Sequence, residues 1–250
     1  MALTRRRKLA IISLAIFWPT LFVLSHIPIP KQVQQADVLD KGLHVLAYMT
    51  LVFLVWISLN PEDRVRWRKA TVWCVLLTIA VYGVIDEVLQ QYVGRSCDRM
   101  DWVADMAGAL TGCLVLTFFS FWPAAAICGA VLICGLTNIA RERLADVAPV
   151  ANAVFHLFSY AIFTLTWIRC MRRFQTLRVP RPKLKWLLTA LTPPMLLLVV
   201  VKGYSIWLGR EFPIQDVILS VGGIVTVVGV VWAMFLYRKS TAQGTPDSDG

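Results

Sequence analysis

Asp40, His44 and Tyr48 recur every fourth residue, so on a helix they stack along one face, with Lys41 one step round. Asp86, Glu87, Gln90 and Gln91 close a long apolar run that passes through Tyr82 and Gly83. Arg95, Asp98, Arg99, Asp101 and Asp105 follow within a few residues. The i, i+3, i+7 spacing of Asp98, Asp101 and Asp105 places them on one face of any helix that begins that early. Brought together, these side chains offer definite chemistry. His44 or Glu87 can serve as general base, with Tyr48 beside them as a further proton donor. Lys41 and Arg95 can hold a phosphate or carboxylate, Arg95 as a bidentate fork and Lys41 as a point charge. Asp98 and Asp101, with Asp40 and Gln90, can orient a ligand, and the carboxylates can hold Mg²⁺ or Ca²⁺ through oxygen. Structural roles compete for the same residues. Asp40 and Asp101 can cap helix N-termini, His44 can hydrogen-bond between packed helices, and Arg95 and Arg99 can be solvated loop charges.

The elements that carry these residues must be membrane helices. Hydrophobic residues make up 58% of the 250-residue chain and charged residues 16%, with a mean hydropathy of +0.65. A soluble domain carries nearer a quarter charged residues, so the bilayer is the solvent that suits this composition. About eight apolar runs are long enough to span: Leu9–Ile27, Gly42–Leu59, Thr71–Gln90, Trp102–Phe121, Pro123–Ile139, Ala153–Ile168, Trp186–Val201 and Val217–Leu236. The expected fold is therefore an all-α polytopic membrane helix bundle. A charge at the bilayer centre costs about 2.5–3.5 kcal/mol on the insertion scale, so Asp86, Glu87 and Asp105 are expected to face inward, with Lys41, His44, Arg95 and Arg99 as partners.

The net charge of +10 does not point to nucleic acid, because of where the charge sits. Seventeen of the 25 basic residues fall in four blocks: Arg5–Lys8, Arg64–Lys69, Arg169–Lys185 and Arg238–Lys239. Eight spans put every block on one side of the membrane, and the positive-inside rule makes that side cytoplasmic. Both termini are then expected inside, and the polar cluster outside, in the inner (cytoplasmic) membrane. Contact with anionic lipids explains the blocks without a partner protein. The first run ends in His26-Ile27-Pro28-Ile29-Pro30 with no small-residue cleavage site, so it is expected to stay as an uncleaved helix. Five of the six cysteines lie in or at the ends of apolar runs and only Cys97 in an outer loop, which is no disulfide framework and no metal-binding spacing.

The sequence repeats itself. Phe155-His156-Leu157-Phe158-Ser159-Tyr160 echoes Leu43-His44-Val45-Leu46-Ala47-Tyr48, and Trp207-Leu208-Gly209-Arg210 followed by Asp216 echoes Tyr92-Val93-Gly94-Arg95 followed by Asp101. Two parallel four-helix repeats are expected, residues 1–122 and 123–238, with a disordered polar tail over 239–250. The second repeat has lost most of its acids: Asp86-Glu87 aligns with Val201-Lys202 and Asp105 with Ser220. Packing or substrate shape is the role expected of it.

The series Asp40-Lys41-x-x-His44-x-x-x-Tyr48, Tyr82-Gly83-x-x-Asp86-Glu87-x-x-Gln90 and Arg95-x-x-Asp98-x-x-Asp101-x-x-Ala104-x-x-x-Gly108 resembles the VanZ-like family of bacterial membrane proteins, over about residues 35–115. On the matching positions the resemblance marks Asp40, Lys41, His44, Tyr48, Glu87, Gln90, Arg95, Asp98 and Asp101. A member of that family is associated with low-level resistance to the glycopeptide teicoplanin. The resemblance implies a place in the cell envelope and brings no established reaction with it. Three functions remain open from the sequence. One is an enzyme or binding site for a lipid-linked or otherwise anionic envelope precursor. A second is a transporter or lipid flippase, favoured by parallel repeats but opposed by acids clustered at one end. The third is a non-catalytic protein that binds a glycopeptide or a partner, and it would tolerate Glu87→Gln.

Overall fold

In lipid, backbone N–H and C=O groups find no water, so each apolar run must satisfy its own hydrogen bonds by coiling into a helix. A computed structural model describes residues 4–27, 37–61, 63–94, 97–140, 149–174, 184–210 and 213–243. Among these residues every regular element is helical: α1 (Arg5–Ser25), α2 (Asp37–Leu59), α3 (Ala70–Gln90), α4 (Arg99–Phe118), α5 (Phe121–Gly135, widened over Leu136–Ala140), α6 (Pro149–Phe174), α7 (Leu184–Trp207) and α8 (Ile214–Gln243). Each contains a span of 19 to 24 residues apolar enough to cross a membrane, about 30 Å of helix. Arg95 lies outside the described residues, as does much of the third basic block.

The chain divides into two compact units, residues 1–140 and 141–250. In the first, α2 is the central element. Half of its span is buried, against 11% for α1, because α1, α3, α4 and α5 all pack on it. The fifth helix therefore lies with the first four, whereas the repeat boundary at 122/123 places it in the second unit. Its Gly135 meets the Leu46 side chain of α2, and Cys128 shares a core with Leu46 and Met49. The tail also differs from expectation. Residues 239–243 continue α8, since no glycine or proline interrupts the helix before Gly244 and Pro246.

Helices α2 and α4 approach closely, and small residues permit it. Gly108 and Gly112 are one turn apart on α4, and a Cβ on Gly108 would run into the Val45 carbonyl of α2. A Cβ on Gly112 would lie 3.0 Å from the Met49 carbonyl oxygen and would also meet Val52. Close helix contact through glycines four apart is the usual way membrane helices gain packing without a hydrophobic driving force.

The opposite end of the unit carries basic residues. Arg7 Nε donates to the Ser58 carbonyl at 2.9 Å, and Val65 N–H to the Leu116 carbonyl at 3.0 Å. Trp67 Nε1 donates to Thr117 Oγ1 at 3.1 Å, which fastens the α2–α3 connection under α4. Lys69 Nζ pairs with Asp63 at 3.0 Å, and its hydrogen bond and charge hold that exposed carboxyl below the usual carboxylate range.

The second unit packs α6 against α8, with α7 against both. A Cβ on Gly223 of α8 would run into the Leu157 carbonyl of α6. Asn152 Nδ2 donates to Asp216 Oδ1 at 3.0 Å, and His156 Nε2 stands 3.5 Å from Asp216 Oδ2. Ser220 Oγ lies 3.4 Å from His156 Nδ1.

Candidate functional site

Four helix ends meet at the end of the first unit away from Arg7 and Lys69: the C-termini of α1 and α3 and the N-termini of α2 and α4. The turn between α3 and α4 is sharp because Gly94 adopts a left-handed φ of 79°, a conformation glycine takes at no steric cost. Asp98 then caps α4, its Oδ1 accepting the Met100 N–H at 2.9 Å. The cap is thus Asp98 rather than Asp101. Asp40 lies inside α2, which already begins at Asp37, rather than at its N-cap position.

His44, two turns into α2, faces Asp105, two turns into α4, with Nδ1 and Oδ1 2.8 Å apart. Asp105 is 1% exposed, so this contact is shielded from solvent. Tyr48, one turn deeper on α2, is buried, and its ring packs 6.1 Å from that of Tyr82 on α3. Gly83 leaves room for this arrangement: a Cβ there would stand 3.2 Å from Asp105 Oδ2 and 3.1 Å from the Trp102 ring.

Glu87, one turn beyond Gly83, is buried and accepts the Asp98 N–H on Oε2 at 3.2 Å. Asp98 Oδ2 meets Lys41 Nζ at 3.2 Å. The Met100 N–H and the Lys41 ammonium together hold the Asp98 carboxyl below the usual carboxylate range. This rim pair is therefore fully formed at neutral pH and is lost only as pH falls through that lowered value. Gln90, fully buried, donates to Asp86 Oδ2 at 2.9 Å. Asp101 is buried beside His44 and Asp40, while Arg99 is exposed.

The structure thus brings together His44, Glu87, Asp101 and Asp105 in the interior, and Lys41 with Asp98 at the rim. Arg95 stands outside the described residues. Two participants carry no signal in the three motifs. Ser25 Oγ donates to Asp86 Oδ1 at 3.1 Å, and His26 Nδ1 lies 3.7 Å from the same oxygen. The signal available for them was a polar Ser-His pair at the end of the first apolar run.

The hydrogen bonding is incomplete in a patterned way. Glu87 uses Oε2 and leaves Oε1 buried without a partner, while Asp105 uses Oδ1 for His44 and sits beside the buried Tyr48 hydroxyl. Asp101 Oδ1 is a second buried oxygen without a partner. Beside the cluster, α1 and α3 form an apolar groove of about 530 Å³ lined by Trp18, Phe22, Val23 and Tyr82.

Residues 5–120, which are the first four helices, match the model of the VanZ/LLP1 family. No curated protein and no solved structure matches the chain.

Proposed function

We propose that this protein, VanZ-like over its first four helices, binds or acts on a lipid-anchored cell-envelope molecule at the acid-rich end of its first unit. The observation that carries this is the pair of buried carboxylate oxygens on Glu87 and Asp101 that have no hydrogen-bond partner. Burying an unsatisfied polar group costs about 1–3 kcal/mol, more for a charged one, and networks that serve only packing satisfy their members. A ligand that supplies donors or positive charge would remove the penalty.

Two features support a ligand with a lipid tail. The apolar groove between α1 and α3 reaches Tyr82, whose neighbours Gly83 and Asp86 open onto the polar cluster. The groove also faces a region where acyl or prenyl chains are the available solvent. The basic blocks at Arg5–Lys8 and Arg64–Lys69 favour, by the positive-inside rule, a cytoplasmic position for that end of the unit and a periplasmic one for the acidic end. The Asp105 carboxylate orients His44, which then acts as general acid or base with Glu87 alongside. Lys41, Asp40, Gln90 and Asp98 shape the entrance, and Tyr48 closes the floor.

The second unit is a degenerate copy. His44 and His156 contribute the same ring nitrogen to an oxygen of the facing helix, Asp105 in one unit and Ser220 in the other. Gly108 against Val45 and Gly223 against Leu157 make the same contact, and Gly94 and Gly209 share a left-handed φ. Each correspondence keeps the register of the sequence repeat. Without counterparts to Glu87 and Asp105, the second unit serves packing.

The test is an envelope phenotype. In cells where expressing the protein changes teicoplanin susceptibility or lipid-linked precursor levels, His44→Gln and Glu87→Gln should lose at least 90% of the effect at equal membrane abundance. An undiminished effect in both variants would contradict the assignment.

A further inference from the structure

The cluster contains more acid than base. Asp86, Glu87, Asp101 and Asp105 are buried there, and Lys41 is already engaged by Asp98. An anionic headgroup entering alone would meet net negative charge. One nitrogen of His44 and one oxygen each of Glu87 and Asp105 all lie within 4.8 Å of one another. Ligands 2.0–2.2 Å from a shared ion stand roughly 3–4 Å apart in tetrahedral geometry, so modest side-chain rotation closes this set on one ion.

Three independent observations favour a built site over a chance group of acids. All three side chains are at least nine-tenths buried, with His44 at 9%, Glu87 at 4% and Asp105 at 1% exposed. Glu87 has Oε2 held by the Asp98 N–H, which fixes its direction, and Oε1 buried and unpartnered, while Asp105 is oriented by His44 beside the buried Tyr48 hydroxyl. Asp105 Oδ2 points across to α3 at Gly83, one turn before Glu87. The donor set is also selective. Mg²⁺ and Ca²⁺ take oxygen ligands, whereas an imidazole with two carboxylates suits a first-row divalent ion such as Zn²⁺ or Mn²⁺.

We propose that His44, Glu87 and Asp105 bind one divalent transition-metal ion, Zn²⁺ or Mn²⁺, which presents an open coordination position to an oxygen of an anionic headgroup. This rests on the functional assignment above and adds positive charge to a cluster in which, among the described residues, acids outnumber bases. A metal with three protein ligands keeps a position for substrate or water and polarises a phosphoryl or carbonyl oxygen bound there. The second unit has Lys202 and Ser220 at the positions of Glu87 and Asp105 in the repeat register, so it binds no such ion.

The full chain, purified in nanodiscs and stripped with chelator, is titrated with Mn²⁺, followed by electron paramagnetic resonance, with Zn²⁺, Mg²⁺ and Ca²⁺ as competitors. Mn²⁺ as the probe avoids the six cysteine thiols, which attract zinc. One Mn²⁺ per chain is expected, displaced by Zn²⁺ but not by excess Mg²⁺ or Ca²⁺. Glu87→Gln and Asp105→Asn should each weaken binding at least ten-fold, while Asp216→Asn in the second unit leaves it unchanged. Size-exclusion profiles and circular dichroism confirm that the variants fold. No bound Mn²⁺ in the wild-type chain overturns the proposal whatever the variants do. So does equal affinity in Glu87→Gln and Asp105→Asn, or displacement by Ca²⁺ or Mg²⁺. Loss of the envelope effect in His44→Gln without metal binding in the wild-type chain would sink the ion and keep the site.

Discussion

Replacing Gly108 with leucine should abolish folding of the first unit, and alanine should already impair it. The Cβ at this position has nowhere to go, because its neighbour is the Val45 main chain of α2 rather than a side chain that can rotate away. Overpacking a tight interface costs about 1–3 kcal/mol even where side chains adjust, and a backbone contact forces the helices apart instead. The loss reaches the site directly. The His44–Asp105 and Lys41–Asp98 contacts both cross from α2 to α4, and a separation of about 1 Å takes a 2.8 Å hydrogen bond out of range. The measurement is the fraction of detergent-solubilised protein that stays monodisperse on heating. Gly222→Ala and Gly223→Ala form an internal control in the second unit. Gly222 has open space around its Cβ position, and the variant should be neutral or slightly more stable, whereas Gly223→Ala should lose stability against the Leu157 carbonyl.

The second large effect concerns Asp105, where stability and function should separate. Asp105→Ala leaves His44 Nδ1 without its partner in a buried position and opens a cavity. Hydrogen bonds to charged groups are worth about 1.5–3 kcal/mol, and removing one partner of a buried pair about 3–5 kcal/mol, so a loss near 3 kcal/mol is expected. Asp105→Asn preserves the shape and an acceptor for His44, and should keep most of the stability while removing the charge. If the pair only holds helices together, the asparagine variant stays fully active. If it belongs to a working site, that variant is well folded and inactive. Thermal unfolding alongside the envelope effect resolves the two. Asp98→Ala should do much less: it removes a helix cap, about 1 kcal/mol, and a rim ion pair of smaller value.

Much of the architecture was legible because the bilayer imposes a simple code. An apolar run of about 20 residues has one stable conformation in lipid, so all eight helices fall where the runs predict them. The meeting of Asp40, His44 and Glu87 with the α4 acids was legible too, since spacing fixes the face and span order fixes the end. Side-chain partners were not. The turn at Gly94 sets where α4 begins, and moving that start by three residues makes Asp98 rather than Asp101 the cap. Asp86 was expected beside Lys41, His44, Arg95 or Arg99 and instead meets Gln90, Ser25 and His26, because the end of α1 leans on α3. The Gly108–Gly112 pair reads in sequence as part of an apolar run; its meaning comes from the neighbouring helix. The place of α5 was hidden for the same reason, as a helix that is apolar all round shows no preferred face.

Which side of the membrane the acid-rich end faces decides whether an envelope ligand can reach it at all. Cys97 is exposed in the α3–α4 connection, immediately before Asp98, and reports that side directly. In spheroplasts with intact inner membranes, a membrane-impermeant maleimide should label the protein at Cys97, and Cys97→Ser should remove the label. Labelling of Cys97 only after the membrane is opened would put His44, Glu87 and Asp105 on the cytoplasmic side and contradict an envelope-facing site.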